Sequence, residues 1–293
     1  MPELPEVETV RRDLSKYLVG ARFLSLKIID FKNVAPEAAF LAKVLKGKKI
    51  VAVRRRGKLL ILDLDLPGQH LLFHLKMTGQ LIFSSGQTAV AGGHSLSNQS
   101  FAASVGGELP NKFTRAYFIF DNGASLFFND LRKFGYIKLC SGEELAGILA
   151  NNYGPEPMDK EFNPAWLGQI FAKRSAPVKA VILNQKLIAG LGNIYADEAL
   201  FMAGIDPRRP AQGLKVPAIK ALHLAMVDII QRAIKARGTT FRNFVDGQGK
   251  KGNFVDYLQV YQRHGQACPR CGQPLQKMKV AGRGTHYCQH CQK

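Results

Sequence analysis

The sequence is short of acidic residues. It has 22 Asp and Glu against 41 Lys and Arg, which gives a formal net charge of +19. Ordinary surface patterning does not produce so large a surplus, which instead predicts a polyanionic partner. The basic residues form separate clusters along the chain, such as 46–49 and 54–58, so a single basic tail is excluded as well. We therefore favour a nucleic acid as the partner over a membrane surface or a merely solvated exterior.

Long apolar runs are also absent. No stretch approaches the ~20 residues that a membrane-spanning helix needs, so no membrane partner is expected. The first six residues include Pro2, Glu3, Pro5 and Glu6, whereas a secretory signal begins with basic residues and continues with an apolar stretch. We expect a cytoplasmic protein that associates with the nucleoid through DNA. No pattern indicates an oligomer or an obligate protein partner, so a monomer is expected.

Cysteine is scarce and concentrated at one end. Five cysteines in a cytoplasmic protein argue against a disulfide framework. Four of them have the spacing C-x2-C-x16-C-x2-C, namely Cys268, Cys271, Cys288 and Cys291. Two such turns complete a tetrahedral sulfur site for one Zn²⁺, and because no ligand position stays open, the zinc is structural. A segment as short as 263–293 cannot bury an adequate core, so metal binding supplies much of its folding free energy.

The first half of the chain predicts the β-rich part of a multidomain α+β protein. Apolar residues at helical spacing predict a helix that begins almost at the N-terminus. Short β-type runs follow over 22–128, with a type II turn at Pro67-Gly68 and a type I′ turn at Asn122-Gly123. Residues 1–150 are therefore predicted to form an antiparallel β-sandwich with a helix at each end.

Two segments break this β pattern. Residues 84–111 are rich in Ser, Gly, Ala and Gln without periodicity, which predicts a mobile loop. Residues 151–157 contain Gly and Pro and predict a linker, after which β-type alternation stops. The chain then predicts a helical domain over 158–262, followed by the zinc segment. Its helices are expected at 164–173, 177–184, 193–202 and 216–236.

The turn at 186–192 separates the second and third of these helices and contains two glycines. Asn193 can cap the helix that follows, which would leave the first N–H groups of that helix available to a phosphate. A tight helix–helix turn with an Asn cap is the alternative interpretation.

Five motifs occur in one order along the chain. They are PELPEVETV at 2–10, HLKMTG at 74–79, NDLRKFG at 129–135, GNIYA at 192–196 and the cysteine quartet. Together they resemble the formamidopyrimidine-DNA glycosylases over nearly the whole chain apart from 84–111. The resemblance implies a β-sandwich, a helix–two-turn–helix domain and a zinc finger. It also implies a base-excision repair enzyme that flips oxidised purines out of damaged double-stranded DNA, cuts the glycosidic bond and cleaves the backbone by β,δ-elimination.

The resemblance assigns catalysis to Pro2, Glu3, Glu6 and Lys58. Removal of Met1 would expose the secondary amine of Pro2, and an α-amino group has a pKa of about 8 against about 10.4 for lysine, so part of it is neutral and nucleophilic. By similarity this amine attacks C1′ of the damaged nucleotide and forms a Schiff base. Glu3 is then expected to move protons near the sugar, Glu6 to orient the site, and Lys58 to contact phosphate. Without the other motifs, the two glutamates would be simple helix-dipole partners.

The resemblance also implies DNA contacts. A flipped base leaves a gap in the stack, which calls for an apolar wedge and a polar substitute. Arg132 is expected to face the orphaned cytosine, Phe134 to wedge between bases and Met77 to fill the gap. The remaining DNA-binding residues are Lys186, in the glycine-rich turn, and the expected phosphate contacts His74, Asn193 and Arg283.

Segment 238–253 matches the family loop that closes over the flipped base. Two alternatives stay open at this point. A sister group that acts on oxidised pyrimidines shares the architecture, although the Leu4-Pro5 pair favours the purine branch. A zinc-dependent DNA-binding protein without catalytic activity is the other alternative.

Overall fold

The computed structural model of the chain describes residues 2–86, 88–97, 100–239, 244–245 and 253–293. It contains two compact units, Met1–Leu149 with Ala236–Val255 and Ala150–Lys235 with Asp256–Lys293. The first is rich in β-strands and the second in helices, and the second ends in the four-cysteine segment. The predicted α+β fold class is confirmed. No helix among the described residues is long and apolar enough to cross a membrane.

The first unit is built on two β-sheets. Their strands are β1 (Phe23–Ile28), β2 (Val34–Ala35), β3 (Ile50–Arg56), β4 (Leu59–Leu64), β5 (Gln69–His74), β6 (Gly79–Ser84), β7 (Ala89–His94), β8 (Thr114–Phe120), β9 (Ser125–Asp130), β10 (Tyr136–Ser141) and β11 (Phe244–Val245). One sheet has the order β1-β8-β9-β6-β7-β11 and the other β2-β10-β5-β4-β3. Neighbouring strands are antiparallel except β2 and β10.

Aromatic side chains fill the space between the two sheets. Phe73 of β5 contacts Phe118 of β8 and Phe128 of β9, with ring centroids 5.8 and 6.1 Å apart, and all three are fully buried. Such edge-on aromatic pairs bury much apolar area and hold the two sheets against each other. Helix α1 (Leu4–Leu18) packs on strands of both sheets, and the short helix α2 (Ala38–Leu45) packs beside β1. The sandwich therefore fixes the beginning of the chain in place.

The described residues of segment 84–111 form a strand and a helix, so the prediction of a mobile loop is wrong there. Strand β7 pairs antiparallel with β6, and Phe101–Val105 forms the short helix α3. Ser100 caps that helix by accepting the N–H of Ala103 at 3.1 Å. The small side chains that concealed the strand have a packing reason, because a Cβ added at Gly92 would lie 2.6 Å from Val10 of α1.

The two predicted hairpin turns have different outcomes. Between β4 and β5, Gly68 has φ +68° and the carbonyl of Leu66 accepts the N–H of Gln69, as expected for a type II turn. Between β8 and β9, Gly123 has a positive φ but Asn122 does not, so the predicted type I′ turn is wrong. Instead, Oδ1 of Asn122 accepts the N–H of Ala124 at 3.1 Å, which stabilises the turn from its own side chain.

The second unit is helical except for one hairpin. Its helices are α5 (Pro164–Ala172), α6 (Val178–Leu183), α7 (Asn193–Met202) and α8 (Val216–Lys235), while α4 (Gly142–Asn152) ends within it. The four helices from α5 to α8 lie close to their predicted bounds. The cysteine segment contributes the antiparallel hairpin of β12 (Gln276–Val280) and β13 (Arg283–Tyr287), and β13 packs against α7. Helix α7 is buried along most of its length.

Candidate active site and nucleic-acid interface

The first turn of α1 brings three predicted catalytic residues together. Pro2 is buried, and Glu3 and Glu6 are only 3% and 2% exposed. The backbone N–H of Glu3 donates to Oε2 of Glu6 at 2.8 Å, which fixes one carboxylate beneath the amino end of the chain. Carboxylates are stabilised at this end of a helix because the helix dipole is positive there. Two acidic side chains are thus held next to the proposed nucleophile.

Glu6 also holds a segment that is distant in sequence. Its Oε1 accepts the backbone N–H of Thr239 at 2.8 Å. Gly238, at φ +85°, approaches so closely that an added Cβ would lie 2.8 Å from that oxygen. Of the predicted loop 238–253, residues 240–243 and 246–252 lie outside the described residues. The beginning of the loop, at Gly238 and Thr239, is held by Glu6.

Lys58 directly precedes β4, and His74 ends the neighbouring strand β5. Lys58 follows Gly57 in the turn between β3 and β4, and the next residue, Leu59, pairs with His74 of β5. Both side chains are largely buried. Burial, aided by the positive charges of Lys76 and Lys58, lowers the pKa of His74 to about 3. His74 is therefore neutral at pH 7, and because its Nδ1 accepts the N–H of Lys76 at 3.0 Å, its proton is on Nε2.

Arg132, Phe134 and Met77 form an exposed cluster. The guanidinium of Arg132 lies over the ring of Phe134, 4.6 Å from its centroid. Phe134 is 51% exposed and Met77 is 40% exposed, which is unusual for apolar side chains at fixed positions. This arrangement presents an apolar surface and a cation side by side.

A buried carboxylate that the sequence reasoning missed fixes the backbone of this cluster. Asp130 is fully buried, and it accepts the hydroxyl of Thr78. Its two oxygens also accept the N–H of Arg132 at 3.2 Å and that of Gly135 at 2.7 Å. The loop that carries Arg132 and Phe134 is thereby tied to the residue after Met77. The NDLRKFG motif contains this aspartate, but no spacing rule distinguishes it from a surface acid.

The glycine-rich turn of the second unit is held by Gln185. Its side chain donates to the carbonyl of Leu191 at 2.8 Å and accepts the N–H of Gly190 at 2.9 Å. Gly190 has φ +88°, a conformation that glycine adopts at little cost. Lys186 projects from this turn and is exposed. The turn is therefore preorganised with a cation on its surface.

Asn193 does not cap α7, so that prediction is wrong. Gly192 occupies the cap position and Asn193 is the first helical residue. The side chain of Asn193 instead donates to the carbonyl of Gly284 at 2.9 Å. Asn193 and Arg283 are thus brought together, because Arg283 directly precedes the carbonyl that Asn193 binds.

A buried ion pair supports the same backbone from inside. Nζ of Lys179 lies 2.5 Å from Oδ1 of Asp197, and neither side chain is exposed. The same Nζ donates to the carbonyl of Gly284 at 3.1 Å and to the hydroxyl of Thr285 at 2.7 Å. Arg283, which is itself exposed, therefore lies at the beginning of β13, where the next two residues are held by Lys179. Lys179 looked like an ordinary basic residue in the sequence, since nothing local marks it as buried.

The four cysteines fit one zinc ion. Their sulfur atoms all lie within 4.8 Å of one another, with 3.9 Å between Cys268 and Cys291 and 3.5 Å between Cys271 and Cys288. A tetrahedron with Zn–S bonds of about 2.3 Å has S–S edges of about 3.8 Å. When bound, the zinc would cross-link the two cysteine turns, which otherwise share only a short hairpin. All four ligand positions would be sulfur, so the ion has a structural role.

Three family models match the chain. They are the formamidopyrimidine-DNA glycosylase N-terminal domain at residues 1–137, the H2TH domain of that family at 153–245, and a zinc finger found in FPG and IleRS at 265–293. The formamidopyrimidine-DNA glycosylase of Pelotomaculum thermopropionicum is 41% identical over 295 residues, which span 100% of this chain and 99% of that protein. The chain belongs to the formamidopyrimidine-DNA glycosylase family. The family resemblance inferred from the five motifs is confirmed, and the chain is an enzyme of the DNA glycosylase class.

Solved structures agree with this membership. The Lactococcus lactis Fpg in complex with DNA that contains an abasic site is 35% identical, with a TM-score of 0.87 and 99% of each chain covered. The wild-type L. lactis Fpg in complex with DNA containing an oxidised pyrimidine is also 35% identical, with a TM-score of 0.86 and full coverage of both chains. The match at 265–293 contains the whole cysteine quartet, which confirms the prediction of one structural zinc ion.

Proposed function

We propose that this glycosylase removes oxidised purines, such as 8-oxoguanine and formamidopyrimidines, from duplex DNA and then cleaves the backbone through a Schiff base on Pro2. The observation that carries the proposal is the buried first turn of α1, in which Glu3 and Glu6 lie directly beside Pro2. A nucleophilic amine needs nearby groups that accept and return protons, and two carboxylates in a water-poor site meet that need.

The chemistry follows from the secondary amine. The Pro2 nitrogen forms a bond to C1′, and the damaged base leaves with the electrons of the glycosidic bond and takes up a proton. Opening of the sugar ring at O4′ then gives an iminium, which acidifies the proton on C2′. Loss of that proton expels the 3′ phosphate, and a second elimination expels the 5′ phosphate. Glu3 is the proposed proton carrier in these steps, and Glu6 the residue that holds the turn.

The exposed cluster of Met77, Arg132 and Phe134 supports a base-flipping mode of binding. A flipped nucleotide leaves a cavity that costs a few kcal/mol of lost stacking. The apolar pair can fill that cavity, and the guanidinium fork can satisfy the edge of the unpaired base. Lys58 and neutral His74 in the first unit, and Lys186, Asn193 and Arg283 in the second, are the proposed contacts to the DNA backbone. Their chemistry suits anionic oxygens.

A second candidate has a specific observation in its favour. The L. lactis Fpg has been crystallised with DNA containing an oxidised pyrimidine, so this architecture accommodates such a base in a relative. A preference for oxidised pyrimidines is therefore the alternative substrate class for this chain. A panel of otherwise identical duplexes, each with one lesion, separates the two candidates by their single-turnover excision rates.

Borohydride trapping tests the proposed nucleophile. With a free Pro2 amine, reduction during reaction on 8-oxoguanine duplex should give a covalent adduct, and mass spectrometry should locate it on Pro2. A matched protein with an N-terminal extension keeps Pro2 within a peptide bond and should give none. Glu3→Gln should slow excision by roughly 10²- to 10⁴-fold while duplex affinity is retained. Absence of an adduct with every oxidised base would instead indicate a DNA-binding protein without this chemistry.

A further inference from the structure

The basic run at the end of β3 is divided between the two faces of its sheet. Arg54 lies on the outer face, where its Nη2 donates to Oδ1 of Asp63 at 2.7 Å. Arg55 lies on the opposite face, which it shares with the core residue Val53 because side chains alternate along a strand. Only 11% of its side chain is exposed. The guanidinium of Arg55 is therefore directed into the protein and has an internal partner.

Glu8 of α1 is that partner. Nε of Arg55 donates to Oε2 of Glu8 at 3.1 Å, and the Glu8 side chain is only 10% exposed. The carboxylate is itself held by α1, because Arg11 and Arg12 donate to its Oε1 at 2.8 and 2.7 Å. Helix α1 packs against β3 at this place. The bond therefore joins β3 to the helix whose first turn carries the predicted catalytic residues.

The same guanidinium also binds the tip of the β3–β4 hairpin. Nη1 of Arg55 donates to the carbonyl of Gly57 at 3.0 Å. Arg56 pairs with Leu59, so Gly57 and Lys58 are the two residues of the turn. Gly57 has φ +56°, and glycine could adopt other backbone conformations at little cost. Because a peptide group is planar, fixing the Gly57 carbonyl also fixes the backbone nitrogen of Lys58.

We propose that Arg55 is a positioning residue for Lys58, in that its guanidinium holds the tip of the hairpin against Glu8 of α1. This role rests on the proposed function, in which Lys58 contacts the DNA backbone. The planar guanidinium has its donors at fixed angles, so one side chain sets the spacing between its two acceptors. Lys58 is only 5% exposed, so the turn decides where its side chain lies. A displacement of about 1 Å at such a site can slow a reaction by about 10²-fold.

A double-mutant cycle between positions 55 and 58 tests this role. Arg55→Lys keeps a positive charge beside Glu8, but a single ammonium cannot reproduce the two bonds of the planar fork. The substitution should lower the single-turnover rate of strand cleavage on 8-oxoguanine duplex by roughly 10- to 100-fold. In the Lys58→Met background the same substitution should change the rate by less than about twofold, because no amine is left to position.

Arg54→Lys is the matched control, since it makes the same change at the adjacent residue. Arg54 also binds a carboxylate through two donors, but that carboxylate is Asp63 on the other face of the sheet. Arg54→Lys should therefore cleave duplex at the wild-type rate. The thermal unfolding midpoints of both variants should stay close to that of wild type, which separates loss of position from loss of fold. Equal rate losses for Arg54→Lys and Arg55→Lys would overturn the role of Arg55.

The acylation rate of Lys58 is a second readout, which needs neither DNA nor catalysis. Tandem mass spectrometry on the full protein compares Lys58 with Lys46, which is exposed and serves as the internal reference. Lys58 should react slowly in wild type and in Arg54→Lys, and several-fold faster in Arg55→Lys because the turn is released.

The two readouts separate this inference from the proposed function. If wild-type protein cleaves no duplex but acylation of Lys58 rises in Arg55→Lys, the proposed function fails and the positioning role of Arg55 stands. If wild-type protein cleaves and the rate losses of Arg55→Lys and Lys58→Met multiply as independent effects, the positioning role fails and the chemistry stands. An unchanged acylation rate at Lys58 would overturn the positioning role in either case.

Discussion

Helices α1 and α7 both use buried carboxylates to bind distant backbone, but they differ in how the charges on the helix are balanced. Each carries buried carboxylates that hold a segment far away in sequence within its own unit. On α1, Glu6 accepts the N–H of Thr239. On α7, Glu198 accepts the N–H groups of Gln259, Val260 and Tyr261, and Asp197 accepts that of His286. In both units, a helix carboxylate binds the backbone of a segment that follows much later in the chain.

The difference lies in how the remaining charge is balanced. Glu8 of α1 is paired with Arg11, Arg12 and Arg55, whose side chains are 28%, 54% and 11% exposed. Asp197 of α7 is paired with Lys179, and neither side chain is exposed; its other oxygen lies 3.4 Å from Nδ1 of the buried His286. A partly solvated network can replace a lost partner with water, whereas a sealed pair cannot. We therefore expect the loss of one charged partner to lower the free energy of unfolding only slightly at α1 and strongly at α7.

Zinc removal should produce the largest effect, because it removes the hairpin against which α7 packs. Cys268→Ser should lose the ion, unfold 263–293 and abolish duplex binding, while the sandwich stays folded. Zinc content, a binding titration and far-ultraviolet circular dichroism measure the three outcomes. Cys140→Ser makes the same chemical change at the one cysteine outside the quartet, and its zinc content should be normal. Undiminished DNA affinity in the zinc-free protein would show that the finger does not support binding.

Breaking the sealed ion pair should have the next largest effect. Lys179→Met leaves Asp197 buried and without its cation, which should cost about 3–5 kcal/mol of unfolding free energy. The double variant Lys179→Met with Asp197→Leu should recover part of that loss because neither charge of the pair remains. Chemical denaturation measures both.

The control for this pair is the same substitution at an exposed site. Lys138 lies 3.8 Å from Glu144 in a pair that is 35% and 56% exposed. Lys138→Met should cost at most about 1 kcal/mol. Equal losses at positions 138 and 179 would mean that burial of the pair is not what stabilises the second unit.

The comparison also explains what the sequence could predict. The cysteine quartet was predictable because a metal site of this kind is encoded in short spacings, and the helix of Leu4, Val7 and Val10 because its periodicity is local. The Lys179–Asp197 pair was not, since its partners are separated in sequence and nothing about either residue indicates burial. Burial of charge is decided by tertiary packing, which no local pattern records.

Strand β7 was also not predicted, because tertiary contacts decide its residue types. Its Gly92 and Gly93 lower the β-type signal, yet both are required by close approach of α1 and β6. Asn193 was predicted to be a cap because Asn favours that position, whereas its side chain donates to the carbonyl of Gly284. In each case a long-range contact overrode a local preference. The catalytic assignments of Pro2, Glu3, Glu6 and Lys58 remain predictions that the proposed experiments test.

The smallest effect is expected at Glu8, and it should depend on pH. Burial alone would raise the pKa of Glu8, but hydrogen bonds from Arg11 and Arg12 and the charge of Arg55 outweigh it and lower the pKa from 4.5 to about 2. A lowered pKa in the folded state stabilises the protein above the unfolded value, and this stabilisation is lost as the pH falls from about 4.5 to 2. Glu8→Gln should therefore be less stable than wild type at pH 7, and the difference should shrink across that window.

Glu108 supplies the control for Glu8, since it is exposed and lies in the same unit. Glu108→Gln removes the same charge and should leave the stability curve of the first unit unchanged. Hydrogen exchange of sandwich peptides at several pH values follows that unit without interference from zinc loss in the second. A difference between Glu8→Gln and wild type that stays constant from pH 7 to pH 2 would mean that Glu8 stabilises α1 by packing and not by charge. In that case, the contrast between an ionic network at α1 and a sealed ion pair at α7 would be wrong for α1.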